Sequence, residues 1–155
     1  EQAKIAIDVL GQEETLGNSV IVIGGGQVGC ETALHLAKLG KQVTVVEMQS
    51  DLAPDASTTG RNELMVEIGR EANFTSLTGA RCQSITDNSV TYVKDGKEEM
   101  ISADSVVLCA GMKPKAQEAD TFFGCADEVS EIGDCVRART VEWATKEAYY
   151  AAINL

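Results

Sequence analysis

Hydrophobic positions along the chain fall into runs of different period, and the period assigns the elements. Val20 to Ile23 (VIVI) is continuous and β-branched, bounded by Asn18 and Gly24, as expected of a parallel strand buried on both faces. From Gln27 to Leu39 the period lengthens: Cys30, Ala33, Leu34 and Ala37 recur at i, i+3, i+4 and i+7, and Gly40 follows as a stop, which predicts a helix. Val43 to Val46 returns to the strand pattern and ends at Glu47. Strand, glycine turn, helix and strand make one βαβ unit of about 30 residues. A second helix is predicted from about Gly60 to Ala72, with Leu64, Met65 and Ile68 on one face, followed by a short strand near Phe74.

Residues 81–102 then alternate in short runs (CQSI, SVTYV, EEMI) joined by Asp87-Asn88 and Asp95-Gly96. The latter pair is a strong type I′ hairpin signal, so this stretch predicts an antiparallel β-meander. Val106 to Cys109 is another apolar strand, leading into the loop Ala110-Gly111-Met112-Lys113-Pro114. A further strand is predicted over Val129 to Ile132 (VSEI), stopped by Gly133-Asp134-Cys135, and a last helix over Thr140 to Asn154 with Thr140 as its N-cap. Ahead of all this, residues 1–18 hold a short apolar group and the polar stretch QEETLGNS, which reads as a connector. The division expected is therefore 1–18, 19–115 and 116–155.

Composition narrows the chemistry. The 155 residues carry 13 basic and 24 acidic side chains, a net charge of −11, with 44% hydrophobic and 24% charged residues, an ordinary globular mixture. The clustered Lys and Arg that would attract nucleic acid or anionic lipid are absent, so neither is an expected partner. The apolar stretch Val106 to Met112 is far short of the ~20 residues that span a bilayer, and the N-terminus lacks the basic and apolar regions of a signal peptide. The chain opens on Glu1, and we expect it to be cut from a longer protein. Five cysteines form an odd set without a CxxC, which fits reduced thiols in the cytoplasm better than a disulfide framework or metal site. The single histidine, His35, leaves little for a triad or a His-rich metal centre. His35 is expected to be exposed or ion-paired, Cys30, Cys109 and Cys135 structural, and Trp143, Tyr149 and Tyr150 packing residues of the last helix.

The chemistry concentrates in Gly24-Gly25-Gly26-Gln27-Val28-Gly29, a G-x-G-x-x-G set between a strand and a helix. Gly24 permits the tight turn, Gly26 lets backbone approach a pyrophosphate, and Gly29 lets helix and strand lie close. The helix start adds unpaired N–H groups and partial positive charge, so a diphosphate can bind despite the net acidity. Glu47 stands 23 residues after Gly24, near the ~20 at which this fingerprint places a ribose-binding acid. Its carboxylate would accept from the adenine-ribose hydroxyls and repel a 2′-phosphate. Met48-Gln49-Ser50 supply no cation, so NAD(H) is expected over NADP(H); Arg61 and Lys41 are the basic residues that could reverse the preference.

The run VIVIGGGQVGCETALHLAKLGKQVTVVE resembles the NAD(P)-binding domain of two-dinucleotide-domain flavoproteins, the group of the pyridine nucleotide-disulfide oxidoreductases with their G-G-G-x-x-G-x-E signature. Within it the chain is most similar to the NADH:flavin oxidoreductases of the 2-enoate reductase and 2,4-dienoyl-CoA reductase type. The meander at 81–102, the strand and loop VVLCAGMKP, and VSEIGDC followed by a helix extend the likeness over residues 6–155. The resemblance implies an α/β, Rossmann-like FAD/NAD(P)-binding fold: a central parallel sheet with helices on one face and an antiparallel β-meander on the other. It further implies that Gly24, Gly25, Gly26, Gln27, Val28 and Gly29 hold the NADH diphosphate and Glu47 the adenine ribose. Glu31, the signature acid, and Gly111 would border the nicotinamide end, and Gly133 and Asp134 would contact FAD in the intact protein. In such flavoproteins the FAD domain has its own glycine fingerprint upstream of the NAD domain, and this sequence has no second one. The expectation is therefore an NADH-binding fragment of a flavin-dependent oxidoreductase, inactive alone, binding FAD weakly or not at all. FMN and an iron–sulfur cluster, with the remaining domains of the parent flavoprotein as partners, would lie elsewhere. Two other readings are a non-enzymatic NAD(H) sensor and an FAD-binding domain in its own right.

Overall fold

The computed structural model describes residues 3–86 and 88–154, so Asp87 of the expected Asp87-Asn88 turn lies outside them. The chain divides into two compact units, residues 1–111 and 112–155.

In the first unit five strands form a parallel sheet: β1 (Lys4–Ile5), β2 (Ser19–Ile23), β3 (Gln42–Val46), β4 (Phe74–Leu77) and β8 (Ser105–Leu108), in the order β1-β8-β2-β3-β4. Three more, β5 (Ala80–Ile85), β6 (Ser89–Lys94) and β7 (Lys97–Ser102), form the antiparallel meander. The three apolar runs beginning at Val20, Val43 and Val106 therefore form strands as the pattern predicts. Alternation along β2 explains why its whole run is apolar. Val20 and Val22 join Val43 and Val45 in the core under α2 (Gln27–Lys38) and α3 (Thr58–Ile68), while Ile21 and Ile23 join Val46 and Val106 against Val90 and Tyr92 of the meander. A strand covered on both faces has no polar side to show.

The helix starts and turns follow from their local chemistry. Ser57 Oγ accepts from Gly60 N at 3.2 Å and caps α3. The β6–β7 turn puts Asp95 at φ 52° and Gly96 at φ 74°, both positive as a type I′ turn requires. Residues expected as a connector are packed onto this unit: Lys4 and Ile5 pair with Val107 and Leu108, and Ala6 and Val9 of the short helix α1 (Ala6–Val9) and Leu16 are buried after them. His35 is exposed, as expected, with its Nε2 2.8 Å from Glu13 Oε1.

In the second unit α4 (Ala116–Asp120) precedes an irregular stretch, and α5 (Val141–Ile153) forms close to its predicted span. Two expectations fail here. Residues 129–132 form no strand, because an apolar run becomes a strand only where a neighbour accepts its backbone hydrogen bonds, and among the described residues none pairs with it. Thr140 stands at the N-cap of α5 but its side chain makes no capping bond. Trp143, Tyr149 and Tyr150 are largely exposed; Arg139 and Lys146 lie 4.7 and 5.3 Å from the Trp143 ring centre.

Candidate dinucleotide site

A cleft of about 510 Å³ opens at the carboxyl ends of β2, β3 and β8. That is where open parallel sheets take ligands, and the size suits one. The fingerprint turn forms its floor, and its glycines are fixed by different constraints. Gly24 has φ +103°, and a Cβ there would lie 2.5 Å from the Cys109 carbonyl oxygen. At Gly29 a Cβ would lie 1.9 Å from the Gly24 carbonyl oxygen, so only glycine lets α2 begin directly on the end of β2. A Cβ on Gly25 would meet Leu52 Cδ2 at 2.7 Å and Glu47 Cβ at 2.8 Å. Gly26 differs from these three, since the nearest atoms to a Cβ there belong to the Asp55 carboxyl group, at 3.3 Å and beyond. Backbone contacts thus require Gly24 and Gly29, the Leu52 and Glu47 side chains crowd Gly25, and Gly26 faces a single exposed carboxylate.

Gly26 is the N-cap of α2 and offers no side chain, which leaves the first amides of the helix to an outside acceptor. Gln27 N donates to Asp55 Oδ1 at 2.7 Å. A carboxylate of the chain itself therefore sits where an anion is favoured, and the donor set fits a diphosphate.

Glu47 is only 6% exposed, on the cleft wall. Its Oε2 accepts from Gly25 N at 2.5 Å and its Oε1 from Gln49 N at 2.7 Å. Each oxygen keeps further acceptor capacity. The acid thus ties the turn after β2 to the end of β3 as well as facing the cleft.

Of the sequence-predicted residues, Gly24, Gly26, Val28, Gly29, Glu47 and Gly111 line one cleft, with Gly111 in a left-handed conformation at φ +85°. Gly25 and Gln27 take part through backbone hydrogen bonds. Glu31 is exposed on α2, where its Oε1 accepts from Gln27 Nε2 at 2.9 Å, and it is not in the cleft wall. Gly133 and Asp134 belong to the second unit. There Gly133 is at φ +66° and its N–H donates to Glu147 Oε2 at 2.7 Å, while Asp134 Oδ1 accepts from Arg139 N at 3.3 Å. Glu147 also pairs with Arg139. The Gly133 amide and the Arg139 guanidinium together hold the Glu147 carboxyl below the usual range.

Neither basic residue considered for a 2′-phosphate is in the cleft wall. Arg61 Nε donates to the Leu52 carbonyl at 2.9 Å with Asp51 beside it, and Lys41 Nζ donates to the carbonyls of Leu16 and Gly17 at 2.9 and 3.1 Å. The cation that does line it is Arg81, at the start of β5 beyond the reach of the βαβ pattern. Pro54 and Asp55 were equally illegible, because they lie in an irregular loop.

All five cysteines are free. Burial pushes the Cys30 thiol up to about 11 and raises that of Cys109, which suits packing and opposes thiolate chemistry. No helix among the described residues is long and apolar enough to cross a membrane.

The sequence pattern of the pyridine nucleotide-disulphide oxidoreductases matches residues 3–131. The chain belongs to that family. Family membership makes it part of an oxidoreductase flavoprotein group that binds FAD and pyridine nucleotide, and the enoate-reductase likeness fits the relatives. It is 38% identical to bilirubin reductase of Mediterraneibacter gnavus over 145 residues, covering 93% of this chain and 22% of that protein. To cinnamate reductase of Clostridium sporogenes it is 31% identical over 155 residues, covering 97% and 23%. Among solved structures, a complex of 2-naphthoyl-CoA reductase superposes with a TM-score of 0.84 at 29% identity, over 96% of this chain and 23% of the other. The chain thus spans under a quarter of the length of these relatives.

Proposed function

We propose that this chain is the NADH-binding part of a larger flavin-dependent oxidoreductase, and that it holds the nicotinamide for hydride transfer to FAD. The observation that carries the proposal is the fingerprint turn. Gly24 and Gly29 are demanded by backbone contacts, Gly25 by the Leu52 and Glu47 side chains, Gly26 faces only an exposed carboxylate among its nearest atoms, and the helix amide beside it already holds that anion. In this reading the Gly24–Gly29 backbone and the first amides of α2 take the diphosphate, and Glu47 accepts from the adenine ribose. When bound, the dinucleotide supplies a hydride donor, and the flavin that receives it is a separate cofactor. What this chain's residues do is bind, orient and screen. Gly24 and Gly111 contribute backbone without side chains to the cleft wall, and Glu47, fixed by two amides, presents a carboxylate of set direction.

The carboxylate also supports NADH over NADPH, since a 2′-phosphate beside it would be repelled at low dielectric. Glu31 belongs to the proposal through its family position at the nicotinamide end. Gly133 and Asp134 would meet FAD in the intact protein, whose remaining domains would also carry any FMN and iron–sulfur cluster. The five free thiols favour the cytoplasm. Calorimetric titration of the folded chain with NADH and NADPH tests the reading. Binding of NADH with weaker binding of NADPH is expected; no binding of either would refute it.

A further inference from the structure

The geometry points to Asp55 as an internal stand-in for the dinucleotide diphosphate: its carboxylate occupies the fingerprint helix start in the free chain, must leave when dinucleotide binds, and thereby sets the affinity. The inference rests on the dinucleotide reading above and adds a residue that the fingerprint does not contain.

Several observations place this carboxylate. Asp55 Oδ1 accepts from Gln27 N at 2.7 Å, the first amide of α2 beyond its N-cap. Both carboxylate oxygens also cover Gly26, since a Cβ built there would meet Oδ2 at 3.3 Å and Oδ1 at 3.4 Å. That is the face the diphosphate needs, and the three atoms nearest to a Cβ on Gly26 all belong to this one carboxyl group. Two anions cannot share it, for reasons of volume and of charge.

The loop behind Asp55 is latched to the turn. Ala53 N donates to the Gly25 carbonyl at 2.7 Å, and Arg61 Nε holds the Leu52 carbonyl at 2.9 Å. Between them Ala53 adopts φ +47°, a left-handed conformation that a residue with a Cβ resists. These contacts aim Asp55 at Gln27, while its side chain remains exposed and free to swing outward. A bound state that must first displace a competing contact has its apparent affinity reduced by the population of the competitor. Removing the carboxylate from the helix start should therefore tighten binding by about twofold to thirtyfold.

The test is a titration of the chain and of Asp55→Asn, Asp55→Ala and Glu63→Gln with NADH, with ADP-ribose, and with adenosine as a phosphate-free control; circular dichroism verifies folding. Glu63 is an exposed residue of α3 outside the cleft and controls for net charge. Both Asp55 variants should bind NADH and ADP-ribose about twofold to thirtyfold more tightly, with adenosine unchanged and Glu63→Gln like the parent. Binding by the parent with no gain in either Asp55 variant overturns the inference alone, as does an equal gain in Glu63→Gln. No dinucleotide binding by any of the proteins overturns the underlying reading and this inference together.

Discussion

Substituting Gly26 and Gly29 of the fingerprint turn separates what the ligand requires from what the fold requires. In Gly29→Ala the new methyl would stand 1.9 Å from the Gly24 carbonyl oxygen, short by about 1.1 Å of the 3.0 Å below which real Cβ atoms essentially never approach. The obstacle is backbone, and Cys109 Cβ closes the other side at 3.2 Å. Relief must come from moving α2 off the sheet, where Cys30 and Ala33 are fully buried. Overpacking of this kind costs about 1–3 kcal/mol, and more when backbone must shift. Gly26→Ala meets only a side-chain carboxylate at 3.3 Å, and its stability should change by less than about 0.5 kcal/mol, as at an open surface site. Its methyl would nevertheless stand where a diphosphate must approach. Urea denaturation followed by circular dichroism, together with NADH titration, reads both quantities. Gly29→Ala should unfold at clearly lower urea, whereas Gly26→Ala should keep its midpoint and lose NADH. A Gly29→Ala protein as stable as the parent would refute the packing argument, and a Gly26→Ala protein that binds normally would refute the site.

Glu47→Ala removes the acceptor for the Gly25 and Gln49 amides, so it should cost about 1–3 kcal/mol of stability, weaken NADH and narrow its advantage over NADPH; parallel melts and titrations measure all three, and an unaltered NADH to NADPH ratio would exclude the ribose role. Burial raises the Cys30 thiol from its ordinary value of 9.0 to about 11, so at pH 8 its thiolate is about a hundredfold scarcer than in an exposed cysteine. Iodoacetamide at pH 8 should then label exposed Cys125 and leave Cys30 unmodified until urea is added, as peptide mass spectrometry would show; equal labelling in the folded chain would contradict the buried assignment.

Local rules made the βαβ unit legible. The VIVI run, the 3.6-residue period from Gln27 and the Asp95-Gly96 turn all depend on neighbours within a few residues, and the glycine spacing encodes a steric demand that the backbone distances at Gly24 and Gly29 bear out. Glu47 could be found because the end of a second parallel strand is a fixed place relative to the first.

What needed the tertiary structure was set by partners far away in the chain. Lys4 and Ile5 become a strand because β8, about a hundred residues later, offers an open edge, while residues 129–132 carry a comparable apolar pattern and find no such edge among the described residues. Backbone hydrogen bonds between strands are non-local, so composition alone cannot tell these cases apart. The same holds for the cleft. Asp55 and Arg81 carry no periodic signal, and only the folding of their loop and strand at the sheet's carboxyl end brings an anion to the helix start and a cation to the same cleft.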